Sequence, residues 1–162
     1  MKENKALFMS QAAMIAAIYV VLCVVFNYTS FGPVQARVAE CLTILPYFTP
    51  AAIPGLFVGC MISNVLGGSI LLDVIGGSIA TLLGALGTWF LRKKSRYLAP
   101  IPPILTNACI VPFVLRYGYG EPLPIPVMML SVGLGEVLVC GLFGIVLLTI
   151  LEKYRNILFK TL

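Results

Sequence analysis

Four acidic residues lie inside or beside the apolar stretches of this sequence of 162 residues: Glu40, Asp73, Glu121 and Glu136. A charged side chain at bilayer depth costs roughly 2.5–3.5 kcal/mol, so one that is retained there usually faces a cavity or a partner. Glu136 lies nine residues into its predicted helix, which corresponds to a depth of ~13 Å. We therefore predict that Glu136 contacts a ligand, the alternative being a buried carboxylate that is protonated or paired.

Four other polar residues extend this candidate site. Asn107 lies near the middle of an apolar segment, where its amide can serve a ligand or an interhelical hydrogen bond. Arg37 and Glu40 are three positions apart and share a helix face, so they either contact the ligand or pair with each other. Asp73 begins a predicted helix, where it is a ligand contact or simply a charge favoured by the helix dipole.

The loop 117–126, YGYGEPLPIP, adds aromatic side chains. Tyr117 and Tyr119 are either anchors at the membrane interface or a lid over a planar ligand. A few convergent polar groups in apolar surroundings are typical of a small-molecule pocket, here for a small ring carrying amide and amine groups. The predicted substrate-binding residues are Arg37, Glu40, Asp73, Asn107, Tyr117 and Glu136, and no catalytic residue or metal ligand is predicted.

The composition indicates an integral membrane protein. The sequence is 60% hydrophobic and 10% charged, against about 25% charged residues in a soluble domain. Its net charge of +5 comes from basic residues beside apolar segments, which is typical of cytoplasmic anchors. The sequence has no basic face with interleaved aromatic residues, which argues against nucleic-acid binding. The five cysteines are dispersed and histidine is absent, which argues against a disulfide framework, a zinc site and imidazole chemistry.

We predict an all-α fold with six transmembrane helices in one membrane-embedded domain, residues 1–162. The predicted segments are residues 8–27, 34–48, 50–66, 71–92, 98–116 and 127–153. An even number of crossings puts both termini on one side. Because the basic clusters at residues 2–5, 92–96 and 153–160 then share that side, the charges indicate an N-in/C-in topology.

The first predicted helix carries two overlapping pairs of small residues, which are Ala12, Ala13, Ala16 and Ala17. Small residues four apart lie on one helix face and let another backbone approach closely. The sequence leaves open whether that backbone belongs to this chain or to a partner.

The run QARVAECLTILPYFTPAAIPGLFVGCMISN, followed by LDVIGGSIATLLGALG, resembles the QueT-type family. These are the queuosine-precursor substrate-binding subunits (S components) of energy-coupling-factor (ECF) transporters. With the alanine-rich first helix and the helix of Glu136, the resemblance covers nearly the whole chain.

The resemblance implies a bacterial cytoplasmic-membrane protein that captures a 7-deazaguanine from outside. It also implies a transmembrane coupling protein, docked on the alanine pairs of the first helix, and two cytoplasmic ATPases. The chain itself has no GxxxxGK[ST] phosphate loop, so we expect no cofactor in it and ATP use by the partners.

Three other functions are compatible with the residues. A subunit of the same transporter type for another small vitamin-like solute is the nearest. A small membrane-embedded enzyme belongs to another class, although the missing histidine and the lack of a clustered acid motif argue against it. The third alternative is an assembly subunit that binds no ligand.

Overall fold

The protein is described by a computed structural model that covers residues 5–26 and 37–155. Within these ranges the secondary structure is helical, without strands. The six α-helices are α1 (Lys5–Val25), α2 (Ala52–Leu66), α3 (Leu71–Leu91), α4 (Ile101–Gly118), α5 (Ile125–Glu136) and α6 (Gly144–Lys153). Three other helical pieces are the 3₁₀ segment (Val38–Tyr47), a short 3₁₀ turn (Arg96–Leu98) and the π segment (Val137–Phe143) that joins α5 to α6.

Within the described residues, four helical stretches are long and apolar enough to cross a bilayer: Lys5–Val25, Leu71–Leu91, Arg96–Gly118 and Ile125–Lys153. Two shorter apolar helices, Val38–Tyr47 and Ala52–Leu66, lie between the first and second of these. The prediction of an all-α membrane protein is therefore confirmed in its coarse form. Some of the predicted features lie outside the described residues. They are the loop 28–33, the last residue of the first predicted segment, the first three residues of the second, Lys2 and Lys160.

Large apolar side chains cover much of the outer surface. Leu71 and Phe90 on α3 are each 73% exposed, and Leu130 on α5 is 70% exposed. A soluble protein rarely presents such a surface, whereas a bilayer solvates it. These faces of the helices are therefore suited to contact with lipid.

The 3₁₀ segment forms the centre of the molecule. Its residues 39–46 are buried except for the half-buried Cys41, and it contacts α1, α2, α3, the π segment and α6. The prediction of an ordinary helix over residues 34–48 was wrong, because residues 38–47 form a 3₁₀ helix. A 3₁₀ helix has three residues per turn. Side chains three apart consequently line up along one side of this segment.

Small residues let neighbouring helices approach closely. A Cβ atom added at Gly55 on α2 would lie 2.7 Å from the Ala12 carbonyl oxygen, and one at Gly59 would lie 3.1 Å from the Ala16 Cα. Ala12 and Ala16 therefore pack against α2 of the same chain, and the docking role of the four alanines stays a prediction. Ala13 and Ala17 remain exposed.

The glycine-rich side of α3 packs in the same way against α4. A Cβ atom at Gly84 would lie 2.8 Å from the Pro103 Cα, and one at Gly87 would lie 2.4 Å from the Pro102 Cβ. The Thr88 hydroxyl donates to the Ala99 carbonyl at 2.7 Å. The small residues on this side of α3 thus let α4 approach closely.

Candidate functional site

The 3₁₀ segment brings three polar side chains to the same side of the protein core. Arg37 precedes its first turn, and Glu40 and Thr43 follow at intervals of three residues. Because side chains three apart eclipse in a 3₁₀ helix, Glu40 and Thr43 lie on one side of the segment, and Arg37 reaches Asp73 on α3. Arg37 is 6% exposed and Glu40 is 2% exposed.

Arg37 forms a buried ion pair with Asp73 at the start of α3. The Arg37 Nη2 lies 3.3 Å from both carboxylate oxygens of Asp73. The sequence left open an ion pair between Arg37 and Glu40, whereas the structure shows an ion pair between Arg37 and Asp73 on α3. Arg37 thereby ties the start of the 3₁₀ segment to the start of α3.

Tyr119, just after α4, closes this ion pair on one side. Its hydroxyl donates to Asp73 Oδ2 at 3.0 Å. Burial, and then the neighbouring Asp73 carboxylate, raise the pKa of Tyr119 above its ordinary value of 10.0, so the phenol keeps the proton that it donates. The sequence singled out Tyr117 from this loop, whereas it is Tyr119 that reaches the polar cluster.

Glu40 accepts hydrogen bonds from two helices through one oxygen only. The hydroxyls of Tyr19 on α1 and Thr81 on α3 both donate to Glu40 Oε1. Among residues 5–26 and 37–155, no hydrogen-bond donor lies within reach of the buried Oε2. A buried carboxylate oxygen without a donor is costly, so this oxygen is suited to accept from a bound molecule.

Glu136 ends α5, and its carboxylate is bonded on both oxygens. The Asn107 side-chain Nδ2 on α4 donates to Oε1 at 2.9 Å. The Cys140 thiol in the π segment donates to Oε2 at 3.0 Å. The sequence predicted one uninterrupted helix here, yet a π segment begins at Val137, and such segments are frequent at functional sites.

These groups surround one small cavity. It is lined by Arg37, Glu40, Gly77, Asn107, Val111, Val132 and Glu136. Its volume of about 10 Å³ is close to the space that one water molecule needs. A side chain at Gly77 would crowd this region, since an added Cβ would lie 3.2 Å from the Asn64 Nδ2 and 3.3 Å from the Asp73 Oδ1.

Glu40, Glu136 and Cys140 also offer the ligand types of a metal site. One ligand atom from each lies within 4.8 Å of the other two. In the structure, however, the Cys140 thiol donates to the Glu136 carboxylate and to the Glu40 carbonyl oxygen at 3.3 Å. The geometry is that of a hydrogen-bonded cluster in which two carboxylates meet.

Two negative charges this close repel each other unless a cation or several donors lie between them. The ion pair with Asp73 already engages the Arg37 guanidinium. Among the described residues, the Glu40 Oε2 atom still lacks a hydrogen-bond donor. Chemically, the site is suited to hold a cation or a small polar molecule rich in N–H groups.

Of the six residues predicted for the site, four line the cavity: Arg37, Glu40, Asn107 and Glu136. Asp73 joins them through the ion pair with Arg37. Tyr117 lies apart, 73% exposed, with its ring stacked on Phe113 at 6.4 Å between centroids. Its role as a ligand contact stays a prediction.

Sequence reasoning missed three donors to the two carboxylates, namely Tyr19, Thr81 and Cys140. Tyr19 is fully buried although it lies in an apolar helix. A hydroxyl in such a helix usually needs an interhelical acceptor. That is the signal that would have pointed from Tyr19 and Thr81 to Glu40.

The fold and site define a multi-pass helical membrane protein with a buried polar cluster at its centre. The chain belongs to the QueT transporter family, whose family model matches residues 9–153. This membership confirms the resemblance seen in the sequence and favours transport over an enzymatic activity.

One relative is a protein from Lactococcus lactis subsp. cremoris (strain MG1363), named Queuosine precursor transporter QueT. The two are 38% identical over 68 residues, which is 41% of this chain and 40% of the relative's length. The matched part thus spans well under two thirds of that relative. No solved structure matches the chain.

Proposed function

We propose that this chain is the substrate-binding component of an ECF importer and that it captures a 7-deazaguanine precursor of queuosine. The family membership and the name of the Lactococcus relative support this substrate. The proposed binding residues are those predicted from the sequence, with Arg37, Glu40, Asn107 and Glu136 innermost.

The observation that carries the proposal is a buried acceptor atom without a donor, close to a second carboxylate. Glu40 Oε2 has no donor among the described residues, and the Glu136 carboxylate lies within 4.8 Å of Glu40 and Cys140. A guanine-like edge presents an N–H and an amino group side by side, which a carboxylate accepts in pairs. The aminomethyl cation of one such precursor would also relieve the repulsion between the two carboxylates.

A ring of this kind needs more room than the cavity of about 10 Å³ provides. Binding therefore requires the helices around the cavity to move apart, with Val111 on α4 and Val132 on α5 as its apolar walls. Tyr119 bridges the α4–α5 connection to Asp73, so opening would release this bond. Tyr117 would contact the ligand only from outside the polar cluster.

The proposed topology has six crossings with both termini inside. The 3₁₀ segment and α2 are only ~20 Å and ~22 Å long, so they would form two shortened crossings in a hydrocarbon core of ~30 Å. The basic residues at both ends of the described chain and at residues 92–96 support one cytoplasmic side. Residues 1–162 would form one domain in the bacterial cytoplasmic membrane.

The proposed partners are a transmembrane coupling protein and two cytoplasmic ATPases. Since no phosphate-binding loop is present in this sequence, ATP would be used by those subunits and no cofactor is proposed here. A component for another small vitamin-like solute is the alternative that the acceptor-rich site also supports.

The test is calorimetric and thermal-shift binding on the detergent-purified chain, with 7-deazaguanines, guanine and common vitamins. A ligand at 100 times its Kd stabilises the fold by about 2.7 kcal/mol. Glu40→Gln and Glu136→Gln should each weaken binding at least tenfold, because hydrogen bonds to charged groups contribute about 1.5–3 kcal/mol. Glu121→Gln, outside the cavity lining, is the control and should leave affinity unchanged.

A shift caused only by 7-deazaguanines and lost in both variants would support the substrate and the site. A shift with another solute would keep the transporter class and reject the precursor. Tight binding of a deazaguanine that survives both substitutions would reject the proposed site. Folded protein that binds nothing in the panel would favour an assembly role or an enzyme.

A further inference from the structure

A second, larger cavity lies at the far end of the 3₁₀ segment from Arg37. Its volume is about 520 Å³, and it is lined by Tyr47 of the 3₁₀ segment, Trp89 of α3 and three basic residues, Arg92, Lys93 and Arg155. The substrate site shares none of these residues. We refer to it as the basic cavity.

The positive charge of the basic cavity is not balanced within the described chain. The ion pairs among residues 5–26 and 37–155 are Arg37–Asp73 and Arg96–Glu152, so no carboxylate lies within 4 Å of Arg92, Lys93 or Arg155. The Arg92 guanidinium lies over the Trp89 ring. Three cations around one concave surface create a positive potential that attracts an anion.

Arg92 and Arg155 also repel each other. Burial, and then the charge of Arg155, lower the pKa of Arg92. These residues come from different parts of the chain, just after α3 and just after α6. An anion between them would replace this repulsion by two attractions and would link the ends of the two helices.

The position of the basic cavity favours a lipid as the source of that anion. Trp89 lies in the last turn of α3, which is long and apolar enough to cross the bilayer, and Trp and Tyr are enriched at the membrane–water interface. The next residue, Phe90, is 73% exposed and apolar. Basic pockets between helices on the cytoplasmic side are a known setting for anionic headgroups.

We propose that the basic cavity binds the phosphate-bearing headgroup of an anionic phospholipid. The Arg92 and Arg155 guanidinium groups are suited to paired hydrogen bonds with phosphate oxygens, and Lys93 adds a point charge. The acyl chains would then run along the exposed apolar surface of α3. This inference does not depend on which solute the chain transports.

The experiment measures lipid retention by the purified full chain, using native mass spectrometry from mixed micelles. The probes are phosphatidylglycerol and phosphatidylcholine at equal concentration, with glycerol phosphate and inorganic phosphate as soluble competitors. The variant is Arg92→Gln/Arg155→Gln. Its matched control is Lys94→Gln/Lys153→Gln, which removes the same charge from neighbouring residues outside the cavity lining.

The wild-type chain should retain phosphatidylglycerol in preference to phosphatidylcholine. The cavity variant should bind phosphatidylglycerol roughly 30-fold more weakly, as expected for the loss of two basic contacts, while the control should lose much less because Lys94 and Lys153 lie outside the cavity lining. The Arg92→Lys/Arg155→Lys variant keeps the charge but loses the forked donors, and it should lie between the two.

Three results would overturn the proposal. Equal retention of both lipids by the wild-type chain needs no variant and would exclude headgroup recognition. Equal losses in the cavity variant and in the control would show diffuse attraction to surface charge. Strong binding of glycerol phosphate or inorganic phosphate without retained lipid would assign the cavity to a soluble anion.

Discussion

At the scale of residues, the cluster around Arg37 combines one satisfied and one unsatisfied carboxylate. Asp73 is engaged by Arg37 and by the Tyr119 hydroxyl, whereas Glu40 leaves Oε2 without a donor among the described residues. The two acids therefore differ in role although both are buried. Asp73 holds the arginine in place, and Glu40 is free to accept from a ligand.

We predict that Asp73→Asn destabilises the protein strongly. Removal of one partner of a buried ion pair costs about 3–5 kcal/mol, because the other charge stays buried without compensation. For a chain of this size, the thermal midpoint in detergent should fall by roughly 6–20 °C.

Tyr119→Phe tests the same cluster more gently. It removes only the hydrogen bond to Asp73 and keeps the ion pair, so the expected loss is about 1 kcal/mol and roughly 2–4 °C. A midpoint for Asp73→Asn as high as that of Tyr119→Phe would mean that the ion pair does not stabilise the fold.

At the scale of elements, the close contact between α1 and α2 positions a donor for the site. Gly59 on α2 lies against Tyr19 and Ala16 on α1, and an added Cβ there would lie 2.9 Å from the Tyr19 Cβ. The Tyr19 hydroxyl in turn donates to Glu40. The close packing of α1 against α2 thus helps to set the position of the Tyr19 hydroxyl that donates to Glu40.

We predict that Gly59→Ala loosens this contact. Overpacking of this kind costs about 1–3 kcal/mol, and displacement of Tyr19 should also weaken ligand binding. Thermal unfolding and calorimetry on the same preparation measure both effects.

Gly133→Ala on α5 is the matched control for Gly59→Ala. An added Cβ there has its nearest neighbour at 3.6 Å, the Ala108 Cβ, which is ordinary contact distance. Because alanine restricts the unfolded chain more than glycine does, this variant should be neutral or up to about 1 kcal/mol more stable. Similar losses in both variants would show that helix glycines matter here for some reason other than the α1–α2 contact.

The sequence predicted the helices better than it predicted their internal geometry. The apolar lengths and the proline and glycine breaks placed α3 within one residue of its observed end, Leu91. The π segment after Glu136 carries no comparable local signal, because its bonds depend on packing against the 3₁₀ segment. The 3₁₀ form of residues 38–47 was missed in the same way.

The candidate site was predictable where a charge is costly in apolar surroundings. That argument led to Arg37, Glu40 and Glu136, which do line one cavity. This argument did not identify Tyr19, because burial of a neutral hydroxyl costs much less free energy than burial of a charge. Sequence reasoning also selected Tyr117 from the loop, whereas the structure places the Tyr119 hydroxyl at Asp73.

At the scale of the whole molecule, one alanine pair of α1 packs against α2 and the other lies on the protein surface. Ala16 is buried against α2, and Ala13 and Ala17 are exposed. Small exposed residues four apart let another helix approach closely. This surface is what remains for the coupling protein that we propose as the partner.

We predict that Ala13→Trp and Ala17→Trp abolish assembly with the coupling protein, and with it uptake, while ligand binding by the isolated chain is unchanged. A large ring prevents close approach of a partner helix, but it points away from α2 and the site. Co-purification with the coupling protein and uptake into cells measure the first effect, and calorimetry measures the second.

Leu130→Trp on α5, at a position 70% exposed, is the control for a bulky residue on a lipid-facing surface. It should leave assembly, uptake and ligand binding unchanged. If the alanine variants assemble normally, the partner must dock elsewhere on the chain. If they lose ligand binding as well, α1 acts through its contact with α2 rather than as a docking surface.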